Sequence, residues 1–549
     1  MRRPIPLFLL SAFVLTLFPA GGRAAWTSDP FTDVPVGAAD GGQDFSRAVS
    51  DGSGGTIVAW EDGRAGTPGI YAQRLDSNGV AQWTLNGVLL SNGGGSYLDV
   101  AADGAGGAFV AWVEGGLARV QRVDENGVPQ WTPGGEPANN VAGDQRSTDV
   151  VGDGAGGAFV VWQDYRSGFT YHVIAQHFDA NGGRQWSVGG RTLSANGDWS
   201  VAPQADRTPA GDLVAAWYAG GSLKASCHSA GTGTSVWPFT SVVAADGCSE
   251  PYWKMISDGA GGTVVAFLKN GDRVYASRID STGTRVWATD VPVGTLASAF
   301  PITMEQSATH GAFVCWRDTR NGLAGTIAMQ HLDGSGAALW PANGVVVDGT
   351  WAAYTGHGVC SDGAGGVLVE WQGSGGVRAQ RVDAAGAPMW SPGGELVVAG
   401  SGTTYRMQVV SDGDAGAIVA YTWAPNVGSL DIRAEHVNAD GSLGVATGVV
   451  VGGVADRGGV RAYPNPFIGS TTVEFVRGAA DVASGRVDVL DVAGRRVRSL
   501  VPAREAGPES GRVSVVWDGR DEWGRRVPAG VYFVRAEGSA EAERLVRLR

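Results

Sequence analysis

Short apolar runs alternate with glycine- and aspartate-rich breaks along most of this chain, and the alternation itself recurs about every fifty residues. One recurring phrase is a Gly-rich turn entering an apolar run, as in the segment from Asp51 to Trp60. Its closing aromatic returns at Trp60, Trp112, Trp162, Trp217, Phe267, Trp316, Trp371 and Tyr421. A second phrase is a D-x-x-G turn closed by tryptophan, as in Asp76 to Trp83, and it closes again at Trp131, Trp186, Trp237, Trp287, Trp340 and Trp390. Within one repeat, Ser96 to Ala102, Ala108 to Glu114 and Leu117 to Asp124, with an outer run like Val88 to Ser91, read as four short strands bounded by turn residues. Helical periodicity is almost absent beyond residue 25, and 87 glycines disfavour helices while suiting tight turns.

Four strands in each of eight copies predict an all-β fold, an eight-bladed β-propeller over residues 25–450, with a sequential β-solenoid as the alternative. The eighth copy, around Asp440 and Gly441, lacks its closing tryptophan. The segment Trp26 to Gly37 reads like Trp287 to Gly294, both carrying Asp-Val-Pro-Val-Gly. The N-terminal segment is therefore expected to supply the outer strand of the last repeat and close the ring, which removes an exposed sheet edge. The periodic tryptophans are expected in the core. Trp199, Tyr252, Trp253, Trp351 and Tyr405 break the pattern near blade connections; they read first as rim packing, with Trp199, Trp253 and Trp351 as the alternative candidates to face a ligand such as a sugar.

Met1-Arg2-Arg3, the apolar run Ile5 to Phe18 and the small residues before Ala25 predict a secretory signal peptide over residues 1–24, and a secreted or cell-surface mature chain without a membrane span. A formal charge of −13 argues against a nucleic-acid partner, since phosphate binding needs a basic stripe. Cys227, Cys248, Cys315 and Cys360 lack metal-ligand spacing; a Cys227–Cys248 disulfide is one option, while Cys315 and Cys360 read first as buried small residues.

Past a Gly-rich join at residues 451–459 the period stops and the charge balance reverses. From Ala455 to the C-terminus, sixteen arginines face thirteen acidic residues. Some seven candidate strands over residues 460–549 fit an Ig-like sandwich. Tyr463-Pro464-Asn465-Pro466-Phe467, then Val489 to Val497, then Trp517-Asp518-Gly519 through Gly530 and Tyr532 to Phe533, resemble the C-terminal Ig-like module of flagellar hook-capping proteins and of type IX secretion sorting tails. The resemblance implies sorting or anchoring, with secretion machinery as a partner. The repeat region likewise resembles propeller repeats of uncharacterised secreted bacterial proteins.

Three repeats carry D-x-R-x-G after the second strand, through Asp62 and Arg64, Asp164 and Arg166, and Asp318 and Arg320. These predict turns in which the carboxylate accepts backbone N–H groups and pairs with the guanidinium. The sharper alternative is an arginine cluster for an acidic sugar, as in sialidase-like propellers. The turn Asp280 to Trp287 resembles the tryptophan-docking turns of quinoprotein propellers, one residue short and without a cofactor constellation. The turns at Asp103, Asp153, Asp258 and Asp362 offer one carboxylate each, too few oxygens for Ca²⁺, so they read as turns before cation sites. His177, His331 and His436 fall where Arg74, Arg122, Arg278 and Arg381 stand in other repeats, which suggests a solvated strand position. No nucleophile elbow or P-loop occurs in a strand-to-helix context. The expectation is a non-enzymatic binding or scaffold protein without a cofactor; a carbohydrate-active enzyme and a structural surface spacer are the alternatives.

Overall fold

A computed structural model describes residues 26–444, apart from 65, 67, 142, 196–198, 239, 246, 272, 295–301, 321–324, 349–355, 374, 400–402 and 427–428, together with 461–463, 471–476, 487–491, 495–500, 512–536 and 543–547. The chain divides into two compact units, Met1–Ala446 and Thr447–Arg549. The expected leader and the join at 451–459 lie outside the described residues. Strands, and no helix, make up the regular structure of the described residues.

The larger unit is a β-propeller. Its described residues form eight four-stranded sheets, each antiparallel between neighbours. In the first, Gln43–Ser50, Thr56–Asp62, Gly69–Leu75 and Val88–Ser91 lie in chain order. The following sheets begin with Ser96–Ala102, Gln145–Gly152, Ser200–Arg207, Cys248–Ser257, Thr303–Gln306, His357–Ser361 and Thr403–Ser411. Each of these first strands packs against the next, and Thr403–Ser411 returns to Gln43–Ser50, so the eight surround a common axis. The eighth sheet takes its outer strand from Val34–Gly37, which pairs antiparallel with Ser429–Val437.

Two layers of aromatic packing follow from the repeated phrases. Trp60, Trp112, Trp162, Trp217, Trp316 and Trp371 on the second strands are at most 1% exposed. Each such ring contributes roughly 2–3 kcal/mol of apolar burial. The turn tryptophans reach across sheets. Trp83 Nε1 donates to Glu125 O (3.0 Å), Trp131 to Ala180 O (3.1 Å), and the series continues to Trp390 on Ala439 O (3.1 Å). Trp26 makes the same bond to Ser77 O (3.0 Å) in the first sheet, so the N-terminal segment joins the eighth sheet by pairing and the first by docking. Gly127 shows why the turn needs glycine: its φ is +80°, and a Cβ there would meet the Trp83 ring at 2.6 Å.

The Gly-rich turns carry a third tie. Asp51 Oδ1 accepts the N–H groups of Ser53 and Gly55 (both 2.8 Å), and its Oδ2 takes Arg74 Nε (2.9 Å). Arg74 Nη1 goes on to Glu125 O in the next sheet (3.3 Å). His177 does the same with Asp153 Oδ2 (2.9 Å) and Ala230 O (2.8 Å), and His436 with Asp412 Oδ2 (2.8 Å). His177, His331 and His436 are buried, which corrects the expectation of a solvated position. His177 meets the next sheet's turn at Ala230, while His436 bonds Gly444 O and stacks on Trp26, contacts that the alternation within one strand does not reveal.

In the smaller unit, Arg461–Tyr463, Thr471–Val476 and Arg512–Trp517 form one sheet, while Arg496–Leu500, Val487–Asp491, Gly530–Ala536 and Glu543–Arg547 form another. Val473 and Trp517 from the first share a core with Val487, Val489, Leu500, Tyr532, Val534 and Leu545 from the second.

Candidate functional site

Antiparallel pairing puts the starts of the first strands and the ends of the second strands on one face of the propeller. The Gly-rich turns and the tryptophan-docking turns occupy the other, where aspartates such as Asp51 and Asp76 bond the backbone of their own turns while the tryptophan Nε1 groups and Arg74 tie one sheet to the next. The first face is the irregular one. Links between second and third strands span two residues after Glu114 and after Ala219, but seven after Asp164 and after Asp318. Loop variation on a rigid frame is the usual way such folds acquire sites.

The rim of this face is built from strained backbone. Phe45, Tyr97, Ser147, Ala202 and Arg406 have φ of 56°, 57°, 51°, 50° and 51°. They mark β-bulges in five cyclically successive first strands, those of the eighth, first, second, third and fourth sheets. Left-handed φ is costly for non-glycine residues, above all bulky ones, and persists where surroundings impose it. Here a hydroxyl of the neighbouring sheet holds some of the turned carbonyls: Ser46 Oγ donates to Arg406 O (3.4 Å) and Thr148 Oγ1 to Tyr97 O. The bulges leave Phe45 and Tyr97 exposed, with the Arg406 guanidinium 3.6 Å from the Phe45 ring centroid and its Nε 3.2 Å from Asp44 Oδ1.

Immediately after the bulges, Arg47, Asp99, Asp149 and Gln204 occupy equivalent places, and Lys254 follows in the fifth sheet. Asp99 Oδ2 accepts Val150 N (2.9 Å) and Gln204 Oε1 accepts Met255 N (2.9 Å), so part of this tier ties one first strand to the next. Asp206 Oδ2 likewise accepts Ser257 N (2.6 Å). Burial pushes the Asp99 carboxyl up against the pull of Arg47. Asp149 is raised further, by burial and then by the charge of Asp99 beside it. Among the described residues, Arg47 and Lys254 form no ion pair, and Lys254 is exposed. Arg47 Nη1 donates to Ser46 O (3.1 Å), and the tier sets these two cations on either side of two carboxyls that disfavour simultaneous ionisation. Sequence reasoning missed it, because the bulge shifts the register by which these side chains are brought together.

The residues singled out from sequence fall elsewhere. Arg64, Arg166 and Arg320 are each held within their own sheet. Arg64 Nη2 reaches Asp62 Oδ2 (2.5 Å) and Asn86 O (2.6 Å), while Asp62 also accepts Trp60 Nε1 (2.8 Å). Arg166 and Arg320 repeat this with Asp164 and Asp318 and with the carbonyls of Gly189 and Asn343. Trp253 is a correction: it is 4% exposed, packed among Cys248, Met255 and Phe267, and unable to face a ligand. Trp199 is half exposed at the seam between the third and fourth sheets, and Trp351 lies outside the described residues. The Gly-rich-turn carboxylates are occupied by backbone and Arg or His, and among the described residues no group of three or more His, Cys, Asp or Glu is placed to hold a metal ion. All four cysteines are buried and outside any disulfide, so the Cys227–Cys248 bond is not formed.

In the smaller unit Trp517 is fully buried and meets Tyr532 edge-on at 5.3 Å, and Tyr532 O–H donates to Pro528 O (2.8 Å). Asp518 pairs with Arg498 (2.7 Å), and Gly519 O accepts Val527 N (3.0 Å) ahead of the strand that begins at Gly530. Tyr463 ends a strand, and Pro464, Asn465, Pro466 and Phe467 lie outside the described residues.

Residues 467–541 match the FlgD Ig-like domain family. No curated protein matches the chain. Among solved structures, a puromycin hydrolase is similar at 15% identity over 74% of this chain and 62% of its own, with a TM-score of 0.38. Prolyl oligopeptidase B from Galerina marginata is similar at 11% identity over 70% of this chain and 56% of its own, with a TM-score of 0.39. The fucose-recognising Aleuria aurantia lectin, a six-bladed β-propeller, is similar at 12% identity over 55% of this chain and 94% of its own, with a TM-score of 0.33. The chain thus spans less than two thirds of the puromycin hydrolase and of the oligopeptidase. Its C-terminal region carries a FlgD Ig-like domain.

Proposed function

We propose that this chain is an exported, non-enzymatic, eight-bladed β-propeller that binds a cell-surface glycan or protein at its irregular face, and that an Ig-like sandwich at its C-terminus sorts or anchors it. The observation that carries the reading is the rim of five successive left-handed bulges, which present Phe45, Tyr97 and Arg406, with Arg47 immediately after the first sheet's bulge. Left-handed bulges in five successive first strands, with Phe45 and Tyr97 exposed by them, support a surface shaped for contact. The family match supports the tail's role, and the charge of −13 supports a partner other than nucleic acid. Secretion is proposed from the leader expected over residues 1–24, and secretion machinery is the tail's proposed partner.

A thermal-shift screen of the full chain against soluble oligosaccharides tests the binding half, because a ligand bound only by the native state raises its stability. Recovery of the chain outside a bacterial host with residue 25 as its N-terminus tests export; retention with the leader uncut would contradict it. A carbohydrate-active enzyme is the second reading, favoured by the neighbouring Asp99 and Asp149, whose raised carboxyls resemble an acid and its partner base. Release of reducing sugar from any stabilising oligosaccharide, abolished in Asp149→Asn, would establish it in place of simple binding.

A further inference from the structure

A second feature of the irregular face stands apart from the rim of bulges. The seven-residue loop 165–171 links the second and third strands of the third sheet, Ala158–Asp164 and His172–Phe178. Its Tyr165 and Tyr171 rings lie 4.7 Å apart, and both meet Trp199, just ahead of the fourth sheet's first strand, at 6.4 and 5.1 Å. Trp199 stands at 84° to Tyr171 and 60° to Tyr165, so two edge contacts fix the indole while half of it stays in solvent. Phe169, on the same loop, is 88% exposed.

Polar groups flank the rings. Asp144 and Arg146, at the start of the third sheet's first strand, pair through two parallel bonds of 2.7 Å. Tyr171 O–H donates to Asp144 Oδ2 (3.2 Å), and the Arg146 guanidinium lies 5.9 Å from the Tyr171 ring centroid. Both members of the pair remain more than two fifths exposed, and the hydrogen bond from Arg146 holds the Asp144 carboxyl below its ordinary range. An exposed ion pair of this kind adds little to stability. An apolar indole left half in water and braced by two tyrosines adds less than it would buried. The arrangement suits a ligand that has an apolar face and a polar edge.

We propose that this cluster is a saccharide platform, which takes a neutral pyranose with one ring face stacked on Trp199 and its hydroxyls on the Asp144–Arg146 pair. The C–H face of a pyranose is weakly positive and complements the negative face of the indole. Ring hydroxyls both donate and accept, so a carboxylate and a guanidinium side by side satisfy neighbouring oxygens of one sugar. The charges of the pair cancel, which leaves no net attraction for an acidic sugar, and the chain's overall negative charge opposes one. The inference deepens the binding reading above and rests on it, while using residues distinct from the rim.

Titration of the full chain with cellobiose, lactose and sialyllactose, followed by tryptophan fluorescence and calorimetry, tests the platform. Saturable binding of a neutral disaccharide in preference to sialyllactose is expected. Trp199→Ala should weaken it about tenfold or more, Trp199→Phe should restore part of the loss, and Asp144→Asn should weaken it with the fluorescence change retained. Absence of saturable binding by either neutral disaccharide overturns the platform, as does equal affinity in Trp199→Ala. Binding that survives Trp199→Ala but is lost in Tyr97→Ala overturns the platform and leaves the rim reading standing. A melting temperature unchanged by Trp199→Ala in the absence of sugar is expected, and separates lost stacking from lost fold.

Discussion

Gly358 faces Glu370 across two paired strands, and a Cβ at 358 would come within 2.8 Å of Glu370 Oε1 and 2.9 Å of Val409 Cγ1. The missing side chain makes room for a carboxyl that is fully buried, with neither oxygen hydrogen-bonded. Burial pushes its pKa up to about 8. Glu435 is raised to about 8 in the same way, and Glu305 to about 7.

These acids set a pH dependence. The folded chain keeps the Glu370 proton up to about pH 8, whereas the unfolded chain releases it above its ordinary value of 4.5. Between those limits the native state binds more protons, so stability falls as pH rises, by up to about 1.4 kcal/mol per unit for each such group. Chemical denaturation from pH 5 to pH 8 should show a declining free energy. Glu370→Gln should flatten part of that slope and raise stability at pH 8 more than at pH 5. An identical slope in the variant would remove Glu370 from the account.

The aromatic repeat predicts large, local costs. Trp112 is fully buried, and its Nε1 donates to Glu114 (3.1 Å). Trp112→Ala should cost about 3–5 kcal/mol, read from urea unfolding. A shift within error would place the ring outside the core.

Ring closure is separable from the repeats. Removing residues 26–37 takes away both the outer strand of the eighth sheet and the Trp26 bond to the first. The expected result is a lower melting temperature together with concentration-dependent association, since the strand Ser429–Val437 becomes an open edge. A truncated chain that stays monomeric at full stability would contradict the closure.

The thiols should be silent. Burial pushes the Cys227 thiol up to about 12 and raises Cys315 and Cys360 as well. A thiol reagent should label none of the four in the native chain and all four after denaturation. Fast labelling of the folded protein would mean local opening around one of them.

In the tail, two tryptophans part company. Trp517 is fully buried, whereas Trp523 is 77% exposed with Arg525 above its ring at 5.0 Å. Trp517→Ala should unfold the smaller unit. Trp523→Ala should leave its stability unchanged and, if the tail is read by export machinery through this loop, reduce the exported fraction.

Much of the frame is legible in the sequence because it rests on short-range chemistry. A glycine that must turn left under an indole, as Gly127 does, leaves a fixed D-x-x-G spacing, and the echo of Trp287 to Gly294 in Trp26 to Gly37 marks the borrowed strand. The site is less legible because it depends on how sheets meet. His177 reads as solvated within its own strand and is buried only by the next sheet. Trp253 breaks the spacing yet packs inward. Nothing about Phe45 or Tyr97 advertises a left-handed bulge, where glycine or asparagine would be the expected signal, and the charged tier behind them depends on that bulge.

The central claim is that binding belongs to the irregular face. Its most direct measurement is the ligand-induced rise in melting temperature of the full chain with the most stabilising oligosaccharide, compared among the wild type, a rim pair Tyr97→Ala with Arg406→Ala, a Trp199→Ala variant and a docking-turn variant Asp280→Ala. The account predicts that the shift survives in Asp280→Ala and disappears in the rim pair or in Trp199→Ala. A shift retained in both of those and lost in Asp280→Ala would put the binding on the opposite face and contradict it.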